Sequence, residues 1–364
     1  MGRATRISIA LTGLALALFA APTAQAARSE FYGITQPQSL DGQDFFGMVA
    51  AKVHTDRFPL QWNVVEPSKN SFDWSETDEL VGNLAVLGIR PAPFVWGSPG
   101  WAGTGNVQRP PVSTSSRTAW QVFLKAVVAR YGPGGSYWGT PYHQRFGAGA
   151  TPLPVQSWQI WNEPNLKFSY PGTTYKQKAQ KYGQLVQISH TAIRAKDSHA
   201  RIVLAGITTQ KDPDAFNFLN SLYSVRRIKD SFEVAAQHPY ASTVPKIKTA
   251  IQHFRSVMGN HGDKATPLWI TEFAWGSGPP DSAGINKGLN GQKQALTSSF
   301  NMLLANRNAW NLQRVFWFLW RDPAPGSDFA NGCSFCGTAG LVANNHNEKP
   351  ALSAFKSFTQ NPPP

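Results

Sequence analysis

Two cysteines in 364 residues are too few for a disulfide-built scaffold. Charged residues make up only 15% of the chain while aromatics reach 12%, the reverse of a disordered composition. Runs of like charge, long polar tracts and fixed-period repeats are absent, which excludes tails, linkers and solenoids. Acidic residues are scarce, 21 against 34 Lys and Arg, and the formal charge is +13. The basic residues are nevertheless scattered. Their densest group, Lys176, Lys178 and Lys181, suits one solvated helix face, and no nucleic-acid motif accompanies it. Weak attraction to anionic surfaces is what this charge predicts, with no nucleic-acid partner. Beyond residue 26 no uncharged run reaches membrane-spanning length. Gly-x-Ser-x-Gly and His-Glu-x-x-His are missing, as is a Gly-x-Gly-x-x-Gly turn after the first strand. No metal or organic cofactor is therefore expected.

What is present begins with an export signal. Arg3 and Arg6 precede an apolar stretch from Ile7 to Ala20, and Ala24-Gln25-Ala26 forms a small-residue cleavage site. The stretch is too short and too rich in Ala, Gly and Thr for stable membrane insertion. Residues 1–26 are thus expected to be removed, leaving a basic, secreted mature chain of residues 27–364 folded as one domain. Cys333 and Cys336 sit in a Gly-rich segment with no second ligand pair for zinc, and are expected to close a small disulfide loop in the oxidising compartment. Nothing in the sequence specifies an oligomeric state.

Eight short runs rich in β-branched and aromatic residues alternate with helix-period segments. They begin near Phe31, Val53, Ile89, Val155, Arg201, Phe232, Pro267 and Arg314. Helices are predicted over 77–87, 118–131, 174–196, 213–225, 244–257 and 292–306. The alternation predicts an α/β fold, specifically a (β/α)₈ barrel with extended loops after the third strand. In such barrels ligands sit at the C-terminal ends of the strands.

Two strand ends carry carboxylates. The run Val155-Gln156-Ser157-Trp158-Gln159-Ile160-Trp161 leads into Asn162-Glu163-Pro164-Asn165, and Pro164 disfavours further pairing. The run Pro267-Leu268-Trp269-Ile270-Thr271 leads into Glu272-Phe273-Ala274-Trp275. These are the fourth and seventh predicted strands, which face each other across a closed barrel. Two acids on opposite walls can flank one bond, and this is the equipment of glycosidic cleavage: one carboxyl donates a proton while the other attacks or activates water. The neighbouring Trp161, Trp269, Phe273 and Trp275 would raise one acid's pKa by desolvation.

Trp161-Asn162-Glu163-Pro164-Asn165, followed at barrel spacing by Thr271-Glu272-Phe273, resembles the clan A glycoside hydrolases. Within that clan it is most similar to the family 39 group of β-xylosidases, α-L-iduronidases and bacterial exopolysaccharide glycosidases, and to family 5-like enzymes. The resemblance implies that Glu163 is the acid/base and Glu272 the nucleophile of a retaining double displacement. It further implies that Asn162 binds the sugar 2-hydroxyl, that Arg57 at the end of the second strand pairs with the nucleophile, and that His238-Pro239-Tyr240 supplies Tyr240 as a donor to Glu272. His238 is expected to orient its neighbours. An aromatic on the eighth strand normally floors the reacting sugar, a role for which Trp317 and Trp320 compete. Trp96 and Trp101, around Gly97-Ser98-Pro99-Gly100, are further candidate sugar platforms, whereas Trp62 and Trp74 are assigned to structure. Ala274 stands where related bacterial sequences often have Gly, and the segment from Cys333 to Gly340 is not a general clan feature.

The function expected is a secreted retaining glycosidase with a poly- or oligosaccharide substrate. A carbohydrate-binding barrel without turnover, or a transglycosylase using the same two glutamates, are the alternatives.

Overall fold

In the computed structural model of the protein, residues 30–209 and 215–360 are described; residues 1–26, read as an export signal, lie outside them. The strands are β1 (Tyr32–Thr35), β2 (Thr55–Gln61), β3 (Arg90–Trp96), β4 (Ser157–Ile160), β5 (Arg201–Leu204), β6 (Ile207–Thr208), β7 (Ala235–His238), β8 (Leu268–Phe273) and β9 (Leu312–Phe318). All pair in parallel, in the order β5-β4-β3-β2-β1-β9-β8-β7-β6. β5 and β6 are two halves of one stave, interrupted at Ala205-Gly206. A parallel bridge from Val203 to Val234, with Leu204 N donating to Val234 O at 2.9 Å, closes the ring. The nine segments thus form the eight staves of a (β/α)₈ barrel, one for each predicted strand.

Alternation along the strands sorts the side chains. Ala92, Val203, Val234, Ala236, Trp269 and Phe316 pack together as the floor of the lumen. Gly33 is needed there, because a Cβ at that position would lie 2.6 Å from the Phe316 ring. The outer faces of the staves, with Ile34, Phe58, Trp158, Ile160, Ile202 and Ile270, join the larger core beneath the helices. Helices at 75–86, 114–131, 175–194, 215–223, 244–260 and 288–305 match the predicted ones to within a few residues. Gly88, with φ +71°, follows the first of them as the sequence suggests.

Two unexpected helices are nine residues or longer, Gly42–Ala50 and Pro350–Gln360. The first occupies the connection after β1 and starts with a capping box, in which Asp41 accepts from the Asp44 N–H and Asp44 accepts from the Asp41 N–H. The region after the third strand also differs. The Gly/Pro-rich stretch 132–154 follows the helix Thr114–Tyr131 and leads into β4. It therefore belongs to the opposite, N-terminal face of the barrel, where Thr140–Phe146 forms a short helix. Only the residues between Trp96 and that longer helix border the mouth.

Among the described residues no helix is long and apolar enough to cross a membrane. Cys333 and Cys336 form a disulfide.

Candidate active site

Arg57 organises the mouth. It lies not at the end of β2 but inside it, because the strand continues through Pro59 to Gln61. Arg57 is almost wholly buried, and its guanidinium is fully committed. Nη1 donates to Glu272 Oε1 at 2.7 Å, Nη2 to Asn162 Oδ1 at 2.8 Å and Nε to Gln159 Oε1 at 2.6 Å. The plane stacks 4.1 Å above the Phe94 ring. Burial pulls its pKa down and the adjacent Glu272 opposes that pull, so the site carries a fixed cation.

Glu272 faces this cation because β8 is irregular. Ile270 pairs with Val315 and Phe273 with Trp317, so three steps on β8 match two on β9. The extra residue lets Thr271 and Glu272 both turn inward, whereas strict alternation after inward Thr271 would send Glu272 out among the helices. Tyr240, on the loop beyond β7, donates to Glu272 Oε2 at 3.0 Å. Burial, reinforced by the Glu272 and Glu163 carboxylates, pushes the Tyr240 hydroxyl well above its usual range, and it stays a donor.

Glu163 reaches the same space from the opposite wall. β4 ends at Ile160, after which Trp161 and Glu163 take the left-handed backbone region, with φ of +70° and +43°. Such values are uncommon for non-glycine residues and persist where the surroundings enforce them. The enforcement is visible. Trp161 is buried against Trp120 and Trp96, while Asn165 Nδ2 donates to Thr208 O at 2.9 Å and Lys178 Nζ to Asn165 O at 2.8 Å. These contacts fix both sides of the turn that carries Asn162 and Glu163.

His238 links the two walls. Its Nδ1 lies 3.0 Å from Glu163 Oε1 and 3.5 Å from Glu272 Oε2, and its Nε2 lies 3.0 Å from Thr271 Oγ1. The ring fits because the fifth stave breaks at Gly206, where a Cβ would lie 1.9 Å from Nε2. Burial pushes the imidazole pKa down to about 3, against the pull of Glu272, so the ring is neutral in ordinary conditions. Oxygen and nitrogen donor atoms of Glu163, His238 and Glu272 all fall within 4.8 Å of one another.

The aromatic assignments need correction. Trp317 points away from the lumen: its ring packs on Phe273 and Phe300, and Nε1 donates to Ala339 O at 3.1 Å. Trp320 lies beyond the strand with its indole beneath Gly47, where a Cβ would approach it to 2.6 Å. Both are buried in the helix layer, and neither can present a face to a sugar. Phe318, on the inward register of β9, stands beside Tyr240 instead, with centroids 6.2 Å apart. Trp96 has the inward register of β3, above Ala92 and Phe94, and is half-buried at the strand end. Trp101 turns its Nε1 to Glu66 O at 2.9 Å and packs edge-on against buried Trp62, which ties it to the outer aromatic layer.

Four residues of the cluster were not anticipated: Gln159, Thr271, Phe318 and Phe335. Gln159 had a sequence signal, being an amide flanked by Trp158 and Ile160 just before the strand end that carries Glu163. It accepts from Arg57 and donates to Leu204 O at 2.9 Å. The donor atoms of Asp41, Asp44 and His346 also gather within 4.8 Å. There Arg321 makes a forked contact with Asp44, Nε and Nη2 each 2.9 Å from a carboxylate oxygen. In each cluster a guanidinium is bonded to one of the carboxylates, Arg57 to Glu272 and Arg321 to Asp44.

Comparison with known proteins agrees with this architecture. The glycosyl hydrolase catalytic core family matches residues 136–335. No curated protein sequence matches. Among solved structures, the chain is similar to a family 39 glycoside hydrolase from Bacteroides cellulosilyticus WH2, with a TM-score of 0.66 and 16% identity over 92% of this chain and 64% of that one. A monomeric β-xylosidase from Caulobacter crescentus CB15 gives 0.64 and 16% over 90% and 68%. Native xylanase 10B from Thermotoga maritima gives 0.62 and 14% over 92% and 96%. At these identities the likeness is one of fold, and the chain spans under two thirds of the Bacteroides enzyme's length. The family match over more than half of the sequence decides the assignment: the chain belongs to the glycosyl hydrolase catalytic core family.

Proposed function

We propose that residues 27–364 form an exported, single-domain retaining glycoside hydrolase that cleaves a poly- or oligosaccharide, with Glu272 as nucleophile and Glu163 as acid/base. One observation carries the reading. A Glu163 oxygen and a Glu272 oxygen come within 4.8 Å, with Arg57 and Tyr240 donating to Glu272 and a neutral imidazole beside Glu163. That proximity fits the ~5–5.5 Å carboxyl spacing of double displacement better than the ~6.5–9.5 Å of inversion.

The chemistry follows from the asymmetry. Glu272, held by two donors, attacks the anomeric carbon as a carboxylate while Glu163 delivers its proton to the departing glycosidic oxygen. The glycosyl–Glu272 ester is then released: Glu163 takes a proton from water, the resulting hydroxide attacks the same carbon, and the carboxylate returns. Asn162 gives its carbonyl oxygen to Arg57, which leaves its amide N–H groups for the sugar 2-hydroxyl. Phe318 and Trp96 supply apolar surface for the sugar ring.

The test is reducing-end release from a panel of plant, fungal and bacterial polysaccharides by wild type and Glu272→Gln. Release by wild type alone, with retention at the anomeric centre by NMR, is the expected result. Binding without release by both proteins would instead identify a carbohydrate-binding barrel. Export is checked by N-terminal sequencing of the secreted protein, which should begin at Ala27.

A further inference from the structure

We propose that the Cys333–Cys336 loop is a disulfide-closed clamp in which Phe335 acts as a positioning residue, holding the Tyr240 hydroxyl against Glu272. The inference rests on the glycosidase reading for its consequence in turnover, and on geometry alone for the clamp itself.

Tyr240 needs such support. It stands two residues beyond the end of β7, so no ladder fixes it, yet its hydroxyl must meet Glu272 Oε2 at 3.0 Å. Its ring is braced by Phe335 at 5.2 Å and by Phe318 at 6.2 Å, and those two rings stand 6.4 Å apart. Phe335 is buried although Ser334, next to it, is exposed. The disulfide brackets this one inward-turned side chain, with Cys336 N donating to Cys333 O at 3.3 Å across the turn.

The flanks of the loop are anchored to the segment that follows the Glu272 strand. Asn286 Nδ2 donates to Ser334 O at 2.8 Å, and Thr338 Oγ1 donates to Asn286 Oδ1 at 3.0 Å. Thr338 O accepts from Ser277 N at 2.9 Å and from Lys349 Nζ at 3.1 Å. Phe335 is therefore referenced to the same wall as Glu272. A disulfide closing so short a loop removes little entropy from the unfolded chain, so global stabilisation is the role it serves least. Local restriction of Phe335 is the role it serves best.

Cys333 is partly exposed, which opens the bond to thiol–disulfide exchange. A dithiol such as dithiothreitol delivers two electrons and two protons, leaving thiols at Cys333 and Cys336 and a cyclic disulfide on the reductant. No other disulfide is present to confuse the result, since the chain has only these two cysteines.

The experiment compares wild type, Cys333→Ser/Cys336→Ser, Phe335→Ala, Tyr240→Phe and Tyr240→Phe/Phe335→Ala, each with and without dithiothreitol. Activity is read on whichever polysaccharide the panel selects, and the Tyr240 ring resonances, assigned from Tyr240→Phe, are read by NMR. Reduction, the double Ser variant and Phe335→Ala should each lower kcat about tenfold, as expected for a weakened hydrogen bond to a carboxylate. Melting temperature should change little on reduction and in the double Ser variant, whereas Phe335→Ala, which removes a buried ring, should lower it. Dithiothreitol should do nothing further to the double Ser variant, and Phe335→Ala should cost little in the Tyr240→Phe background. The Tyr240 resonances should shift on reduction whether or not sugar is released. Unmoved Tyr240 resonances after two thiols have been titrated would overturn the clamp, as would an undiminished Phe335→Ala effect without the Tyr240 hydroxyl. A wild type that releases no sugar while Tyr240 responds to reduction would refute the glycosidase reading and leave the clamp standing.

Discussion

Replacing Arg57 by methionine keeps most of the side chain's length and removes its charge and all three of its donors. Glu272 is left buried with Tyr240 as its remaining donor among the contacts described above. Removing one partner of a buried ion pair costs about 3–5 kcal/mol, because the other charge is stranded rather than because the pair itself was worth that much. The three hydrogen bonds are not summed separately, since their acceptors can re-pair or admit water. If the same loss applies in the transition state, then at about 1.4 kcal/mol per factor of ten kcat/KM near neutral pH should fall by roughly two to four orders of magnitude. The same stranded charge lowers stability, which equilibrium urea denaturation at neutral pH should show as a deficit of about 3–5 kcal/mol. Arg57→Met/Glu272→Gln should recover part of it, having no charge to strand. A variant as stable as wild type, or a double variant no more stable than Arg57→Met, would refute the reasoning.

Other perturbations reach different parts of the site. Burial keeps His238 neutral down to about pH 3, whereas the unfolded chain takes up that proton near 6.5. The unfolded state thus binds more protons between those values, and stability is lost as pH falls through them. His238→Gln should flatten this acid dependence of the urea midpoint, and parallel curves would refute it. Asp56, on the outer face of β2, is fully buried with no hydrogen-bond partner at either oxygen among the described residues, and burial raises its pKa well above the usual range. Its folded form keeps a proton that the unfolded chain gives up near pH 4, so stability drains away as pH rises. Asp56→Leu should stabilise by about 1–3 kcal/mol, more at pH 8 than at pH 4.5, by denaturant titration. Phe318→Ala should raise KM several-fold besides lowering the melting temperature. Trp320→Ala should lower the melting temperature while leaving KM within twofold. The reverse pattern in KM would return the sugar platform to Trp320.

The eight staves were legible because a parallel barrel buries both faces of each strand, so its strands appear as continuous apolar runs between helices. Glu163 and Glu272 stood out for the same reason, as carboxylates at the ends of such runs. What the sequence concealed is how each carboxylate is aimed. Alternation along β8 would place Glu272 on the side opposite Thr271, and only the extra residue matched against β9 turns both inward. A register shift between two strands depends on their pairing, and neither strand's residues announce it. Arg57 was expected at a strand end, but in parallel pairing β2 continues past it through Pro59 to Gln61. The platform was sought among tryptophans because they offer the largest face. Phe316, Trp317 and Phe318 alternate between lumen and helix layer, and it is the phenylalanine that falls inward. Side-chain size was thus the weaker guide, and register the stronger. The same holds for Gln159, whose inward position on β4 lets it accept from the Arg57 guanidinium without a charge of its own. A glutamate there would divide the cation between two carboxylates, so the neutral amide leaves Glu272 the sole carboxylate to which Arg57 donates among the described residues. The pairing that supports the proposed nucleophile is therefore set as much by an uncharged strand residue as by the arginine itself.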